Sequence, residues 1–221
     1  MNDASIADRL HRLREEIDAH AHACGRDPRE IELLVVTKQQ PVVRIVEAIA
    51  AGVTQIGENY LQEARAKLGA LPPVRRHFIG HLQTNKAKSI VELFDCVQSV
   101  DRIDVVHALD RAATTVGKRL SVLLQVNISP TERFGSPPEQ LGRLSEAVRA
   151  SRCLDLDGVM AIGPTDPAEV AASFALASAC ARQIGGSILS LGMSGDWREA
   201  IGAGSTMIRL GTAIFGPRGA I

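Results

Sequence analysis

The feature that most constrains this chain is a repeated alternation. From residue 31 to residue 216, short, nearly continuous apolar runs rich in β-branched residues alternate with amphipathic segments. Runs of that composition and length read as strands buried on both faces. The segments between them carry apolar residues at helical spacing. In 41–51 these are Val42, Ile45, Val46 and Ile49, and Gly52 ends the segment. The spacing predicts strands at 31–36, 53–57, 76–79, 94–100, 120–127, 154–161, 188–191 and 206–210. It predicts helices at 41–51, 60–68, 85–93, 103–116, 138–150, 167–184 and 197–202. Strand–helix steps in this order call for an α/β fold of parallel strands covered by helices. An open doubly wound sheet and a closed barrel both satisfy that pattern. Eight regular steps favour a (β/α)8 TIM-like barrel. Ahead of it, Ile6, Leu10, Leu13 and Ile17 recur at helical spacing over 3–24, and Gly25 and Pro28 close the segment. This predicts an extra N-terminal helix, lying against either the bottom or the side of the barrel.

The 221 residues suit one domain, 1–221, made of the helix at 1–25 and the barrel at 31–216. The polar stretch 130–138 reads as a long loop inside one step. Twenty-five basic and 25 acidic residues cancel, which removes any bulk electrostatic case for nucleic acid or an anionic membrane. No apolar run is long enough to span a bilayer, and the first residues lack a secretory signal. Cys24, Cys96, Cys153 and Cys180 are widely spaced, with no Cys-x-x-Cys pair. They predict four free thiols, no zinc site and a reducing, cytoplasmic setting. No surface helix is conspicuously apolar, so a monomer is expected.

In such barrels the chemistry lies at the C-terminal rim of the strands. The strand ends here read Thr37-Lys38, Glu58-Asn59, Gly80-His81, Ser99, Asn127, Ala161-Ile162, Met193-Ser194 and Arg209-Gly211. A lysine walled by apolar strands loses its proton more readily than a solvated one, and a neutral amine is what an imine with an aldehyde requires. Taken alone, Lys38 reads more readily as a solvated lysine at a strand end, since lysines are usually exposed. The segments 191–196 and 208–212 are glycine-bearing turns with hydroxyls, Ser194 and Thr212, at the ends of strands seven and eight. Phosphates often sit there in barrels. Alternation sends Arg209 to the opposite face from Ile208 and Leu210, and an inward guanidinium needs an acceptor. His81 reads as a hydrogen-bonding rim residue with no second metal ligand nearby. Asn59 reads as a rim residue or a helix N-cap. Trp197 and Phe215 read as packing residues, and His11, His20 and His22 as solvent-facing.

Taken together, six segments resemble the pyridoxal-phosphate homeostasis protein family. They are 34–38 (LVVTK), 56–63 (IGENYLQE), 77–86 (HFIGHLQTNK), 125–129 (QVNIS), 189–194 (LSLGMS) and 204–216 (GSTMIRLGTAIFG). The resemblance runs in order from the first helix nearly to the end. It implies the barrel of the alanine racemase N-terminal domain and a fold type III pyridoxal 5'-phosphate (PLP) protein. It also implies that Lys38 forms the aldimine and that Ser194, Gly211 and Thr212, with Met193 beside them, surround the phosphate. Arg209 would face the pyridine nitrogen, and Asn59 and His81 would line the pocket. Thr37-Lys38-Gln39 stands where the family more often has Ser-Lys-Thr, and 130–135 departs from the family's more acidic loop.

The expected function follows from that resemblance: PLP binding in intracellular PLP homeostasis, with the cofactor held as a Schiff base on Lys38 and passed to apo PLP-dependent enzymes. An arginine at the ring nitrogen keeps that nitrogen neutral and weakens the ring as an electron sink. A racemase also needs an acid–base group on the second face of the imine, and no residue here is an evident candidate. Robust catalysis is therefore not expected. The alternatives are a weak amino-acid racemase at the same site and, more distantly, a Schiff-base aldolase acting on a sugar phosphate.

Overall fold

A computed structural model describes residues 4–129 and 134–216. The eight strands are β1 (Glu32–Val36), β2 (Gln55–Glu58), β3 (Arg75–Phe78), β4 (Cys96–Val100), β5 (Leu120–Val126), β6 (Leu154–Ala161), β7 (Ile188–Ser190) and β8 (Met207–Leu210). They pair in sequence order, all parallel, and close into a barrel. Closure runs through β1 and β8, where Leu34 lies opposite Arg209. The shortest seam joins β7 to β8 by one register pair, Ser190 with Met207. Backbone bonds from Leu191 to Met207 and from Arg209 to Gly192 extend it past the strand ends.

The helices are α1 (Ile6–Ala23), α2 (Val42–Ala50), α3 (Leu61–Lys67), α4 (Ala87–Leu93), α5 (Ile103–Val116), α6 (Leu141–Arg149), α7 (Pro167–Ile184), α8 (Trp197–Gly202) and α9 (Thr212–Phe215). The strand burial explains the sequence pattern: β2, β4 and β8 are buried at every residue. The helices lay their apolar stripes on the outside of that wall, and each fully buried Leu or Ile contributes about 1.5–3 kcal/mol. Glycine caps α5 and α7 in the left-handed conformation, Gly117 and Gly185.

Two predicted helices begin later than expected, and one short helix was not expected. The helix expected from residue 138 starts as a short 3-10 turn, Pro138–Gln140, and becomes α-helical at Leu141. Two consecutive prolines delay the first i to i−4 bonds. The four-residue α9 had no sequence signal, being too short for a periodic stripe. The helix expected from residue 3 begins at Ile6, with Ser5 and Asp8 forming a capping box. Residue 3 and loop residues 130–133 lie outside the described residues.

The N-terminal helix takes the side of the barrel. Its stripe of Ile6, Leu10, Leu13, Ile17 and Ala21 is buried, and it packs on α2, α8 and α9. His20, expected to face solvent, is half-buried instead: its Nε2 lies 2.9 Å from the Arg198 carbonyl, and its ring meets Trp197 edge-on. It ties α1 to α8. Trp197 and Phe215 are buried, as expected of packing residues. No described helix is long and apolar enough to cross a membrane.

Candidate functional site

The C-terminal ends of the strands surround a cavity of about 170 Å³. Its wall contains Lys38, Asn59, Met193, Ser194, Arg209, Gly211 and Thr212, with Val36, Gln40, Ile79, Met160 and Ile162 supplying apolar and neutral surface. His81 is not in that wall. It is exposed and stacks on Phe134 at 4.3 Å between ring centroids, at the rim.

Lys38 follows β1, whose residues Leu34 and Val35 are fully buried. It projects from a turn. The Gln40 N–H bonds the Thr37 carbonyl at 3.1 Å, so Lys38 and Gln39 are the central residues. Gln39 has φ +60°, the one positive φ at a non-glycine residue among those described. A left-handed conformation costs a residue with a β-carbon roughly 1–2 kcal/mol.

Asn59 follows β2 but caps nothing. Helix α3 begins at Leu61 with Tyr60 at its N-cap and no side-chain cap bond. The Asn59 Oδ1 is buried without a hydrogen-bond partner. A buried, unmatched acceptor in a cavity wall is costly unless a ligand donates to it.

Arg209 is 4% exposed. Its guanidinium donates to the Ser190 carbonyl at 2.7 Å, to Ser190 Oγ at 2.8 Å and to the Ala161 carbonyl at 2.7 Å. The carbonyl ends of β6 and β7 thus fix its plane. Burial lowers its pKa to about 10, with Asp196 opposing the shift. It remains a cation at neutral pH. The bonds continue into the barrel: Ser190 Oγ donates to Gln98 Oε1 at 2.7 Å. Gln98 Nε2 in turn lies 2.9 Å from His77 Nδ1. His77 is fully buried, and desolvation depresses its pKa to about 3, so its ring is neutral.

The turn after β7 is closed by Asp196, whose Oδ1 accepts the Met193 N–H at 2.6 Å. Gly192 has φ +97°, and a β-carbon there would lie 2.6 Å from the Ala200 Cβ. Only glycine lets the loop lie this close to α8. Gly211 serves the same end beside it: a β-carbon would meet the Val36 carbonyl oxygen at 2.9 Å. The first turn of α9 follows, with leading N–H groups that have no acceptor within the helix.

Beneath Lys38 lies a polar cluster that the sequence reading did not find. Lys67, at the end of α3, bonds Glu58 at 2.7 Å, Glu63 at 2.7 Å and the Thr37 carbonyl at 2.7 Å. The Thr37 hydroxyl donates to the same Glu58 oxygen. Glu58 is fully buried, and its other oxygen has no partner. Desolvation raises the Glu58 pKa despite the Lys67 ammonium and the Thr37 hydroxyl. Glu63 and Lys67 are spaced as an i, i+4 pair, which the sequence displays. What it hides is that this end of α3 points inward.

The profile of the alanine racemase N-terminal domain family matches residues 9–219. Pyridoxal phosphate homeostasis proteins of Pseudomonas aeruginosa and Escherichia coli are 42% and 41% identical to this chain. They cover 97% and 99% of it, and the matches span 96% and 98% of their own lengths. The chain belongs to the pyridoxal phosphate homeostasis protein family. Among solved structures, PipY of Synechococcus elongatus with PLP bound is 36% identical, at a TM-score of 0.82, over 96% of this chain and all of its own. An alanine racemase from Streptomyces coelicolor, 22% identical, superposes at a TM-score of 0.72 over 95% of this chain and 59% of its own. That last likeness concerns the fold alone.

The residues present in this homeostasis-family cavity suit PLP. The orphaned Asn59 Oδ1 awaits a donor, and Ser194, Gly211 and Thr212 bring hydroxyls and close backbone to the same wall. Arg209 supplies a fixed cation on the inner wall, and Lys38 an amine at the end of the neighbouring strand β1.

Proposed function

We propose that this chain binds pyridoxal 5'-phosphate at the C-terminal mouth of the barrel, holds it as a Schiff base on Lys38, and serves in intracellular PLP homeostasis. The observation that carries the reading is convergence. An amine, a fixed guanidinium, an unmatched amide and a glycine-hydroxyl cradle, from β1, β2, β7 and β8, face one cavity. The family relatives and the PLP-bound neighbour support it. In this reading Lys38 would supply the amine that forms the C=N bond with the cofactor's aldehyde, with loss of water. When bound, the cofactor supplies that electrophilic aldehyde and an aromatic ring. Ser194, Gly211, Thr212 and the adjoining backbone hold the phosphate, and Asn59 accepts a donor from the bound form. Arg209 would face the ring nitrogen and, as a guanidinium that does not give up its proton, would leave the ring neutral. Such a site suits holding and releasing the cofactor in the cytoplasm, to apo-enzymes that need it. His81 and Phe134 stack at the entrance and would meet the cofactor only at its outer edge.

The test is the visible absorbance spectrum of the purified protein after adding PLP, wild type beside Lys38→Ala. A long-wavelength imine band in wild type alone is expected. Absence of the band from both would overturn the reading.

A further inference from the structure

Both peptide groups that flank Lys38 are gripped by one partly buried ion pair, Glu63 with Lys67. The peptide before Lys38 presents the Thr37 carbonyl, which accepts from Lys67 Nζ at 2.7 Å. The peptide after it presents the Gln39 N–H, which donates to Glu63 Oε1. Glu63 Oε1 and Lys67 Nζ are themselves 2.7 Å apart. The circuit therefore closes: Gln39 N–H to Glu63, Glu63 to Lys67, Lys67 to the Thr37 carbonyl. Gln39 needs such a grip because it holds φ +60°, a conformation that a residue with a β-carbon adopts reluctantly.

We infer that Glu63, paired with Lys67, is a positioning residue for Lys38. Neither side chain lines the cavity. They act through the turn, fixing the direction in which the Lys38 amine leaves the strand end. The inference rests on Lys38 being the lysine that takes up the PLP aldehyde. Orientation of a reacting amine is worth one or more factors of ten in rate. Releasing Gln39 to negative φ would forfeit that.

The decisive variants are Glu63→Ala, Gln39→Gly and the double variant, in the full chain. Glu63→Ala leaves Lys67 its second carboxylate, Glu58, so the buried ammonium is not stranded. Two signals are read after mixing with PLP: the rate of appearance of the imine band, and borohydride-reduced adduct at Lys38 by peptide mass spectrometry. Glu63→Ala should slow imine formation about tenfold, while non-covalent PLP affinity, measured in a Lys38→Ala background, stays the same. Gln39→Gly should match wild type. Glycine adopts positive φ freely, so the double variant should recover the wild-type rate. Should Glu63→Ala fail to fold, Glu63→Gln keeps an acceptor for the Gln39 N–H and is expected to react as wild type.

An unchanged rate in Glu63→Ala overturns the inference. So does a slow rate that Gln39→Gly does not restore, because the carboxylate would then act otherwise than through the turn. Wild-type protein that yields no reducible adduct at Lys38 refutes the PLP reading itself, and the inference with it. That failure is visible before any variant is compared.

Discussion

Lys67→Met probes the buried cluster under the site directly. The change keeps the aliphatic stem of a side chain that is 6% exposed and removes the ammonium from a carboxylate that is fully buried. Breaking such a pair costs about 3–5 kcal/mol. Here the cost has a ceiling that depends on pH, because Glu58 can take up a proton rather than stay buried as an anion. Its ordinary pKa is 4.5, and burial already raises it in the intact cluster. Without Lys67 the folded-state pKa rises further. A group whose folded pKa is raised contributes stability that is fully present below its unfolded pKa and lost as pH rises. Holding Glu58 protonated at pH 7.5, three pH units above its ordinary value, costs up to about 4 kcal/mol; at pH 5.5 the ceiling falls to about 1.4 kcal/mol. For a chain of this size the larger figure lowers Tm by roughly 8–16 °C. Urea unfolding of wild type and Lys67→Met at the two pH values measures the deficit, with the m value checking two-state behaviour. A second change, Glu58→Gln, should recover most of the loss and abolish its pH dependence. A deficit below about 1 kcal/mol at pH 7.5, or one equal at both pH values, would refute the account of a buried carboxylate stabilised by Lys67.

Two further outcomes follow from the same geometry. His77 is neutral and buried with a pKa near 3 against an ordinary 6.5. Its contribution is present above pH 6.5 and lost as pH falls, by about 2 kcal/mol at pH 5, and this loss should be missing from the urea stability of His77→Gln. Gly192→Ala places a β-carbon 2.6 Å from the Ala200 Cβ at φ +97°. It should cost about 2–4 kcal/mol and weaken PLP binding; unchanged Tm and affinity would show that the loop after β7 has more room than its geometry indicates.

The barrel was legible because several strands leave short apolar runs, such as Leu33-Leu34-Val35-Val36, in regular alternation with amphipathic segments. The inward Arg209 was legible from alternation between Ile208 and Leu210. Helix α9 was not, because four residues between Gly211 and Gly216 give no periodic stripe. The motif residues Lys38, Asn59, Met193, Ser194, Arg209, Gly211 and Thr212 meet at one cavity. His81 belongs to the same motifs yet stands exposed at the rim, stacked on Phe134. Glu58, Glu63 and Lys67 were visible as charges but not as a cluster. A charged residue in sequence reads as solvent-facing, and only the tertiary turn of α3 toward β1 buries Lys67. Gln98 and Ser190 were hidden for the complementary reason, since neutral polar residues inside a strand carry no signature of the partner across the barrel.

Lys38 and Arg209 are held in place differently, and the difference bears on what the site can do. Lys38 sits on a turn whose conformation is maintained against its intrinsic preference by two side chains. Arg209 sits on a strand with its guanidinium tied by three bonds to β6 and β7, and the hydrogen-bonded chain behind it runs through Ser190 and Gln98 to a neutral His77. No acid in that chain is poised to protonate a ring nitrogen: His77 is held neutral, Gln98 and Ser190 are neutral donors, and the guanidinium keeps its proton. In the proposed reading, a ring held between Lys38 and Arg209 would have its aldehyde carbon reached and its nitrogen left neutral. That arrangement favours reversible capture over chemistry that needs the ring as a strong electron sink, which is the physical basis for reading the site as a keeper of its cofactor.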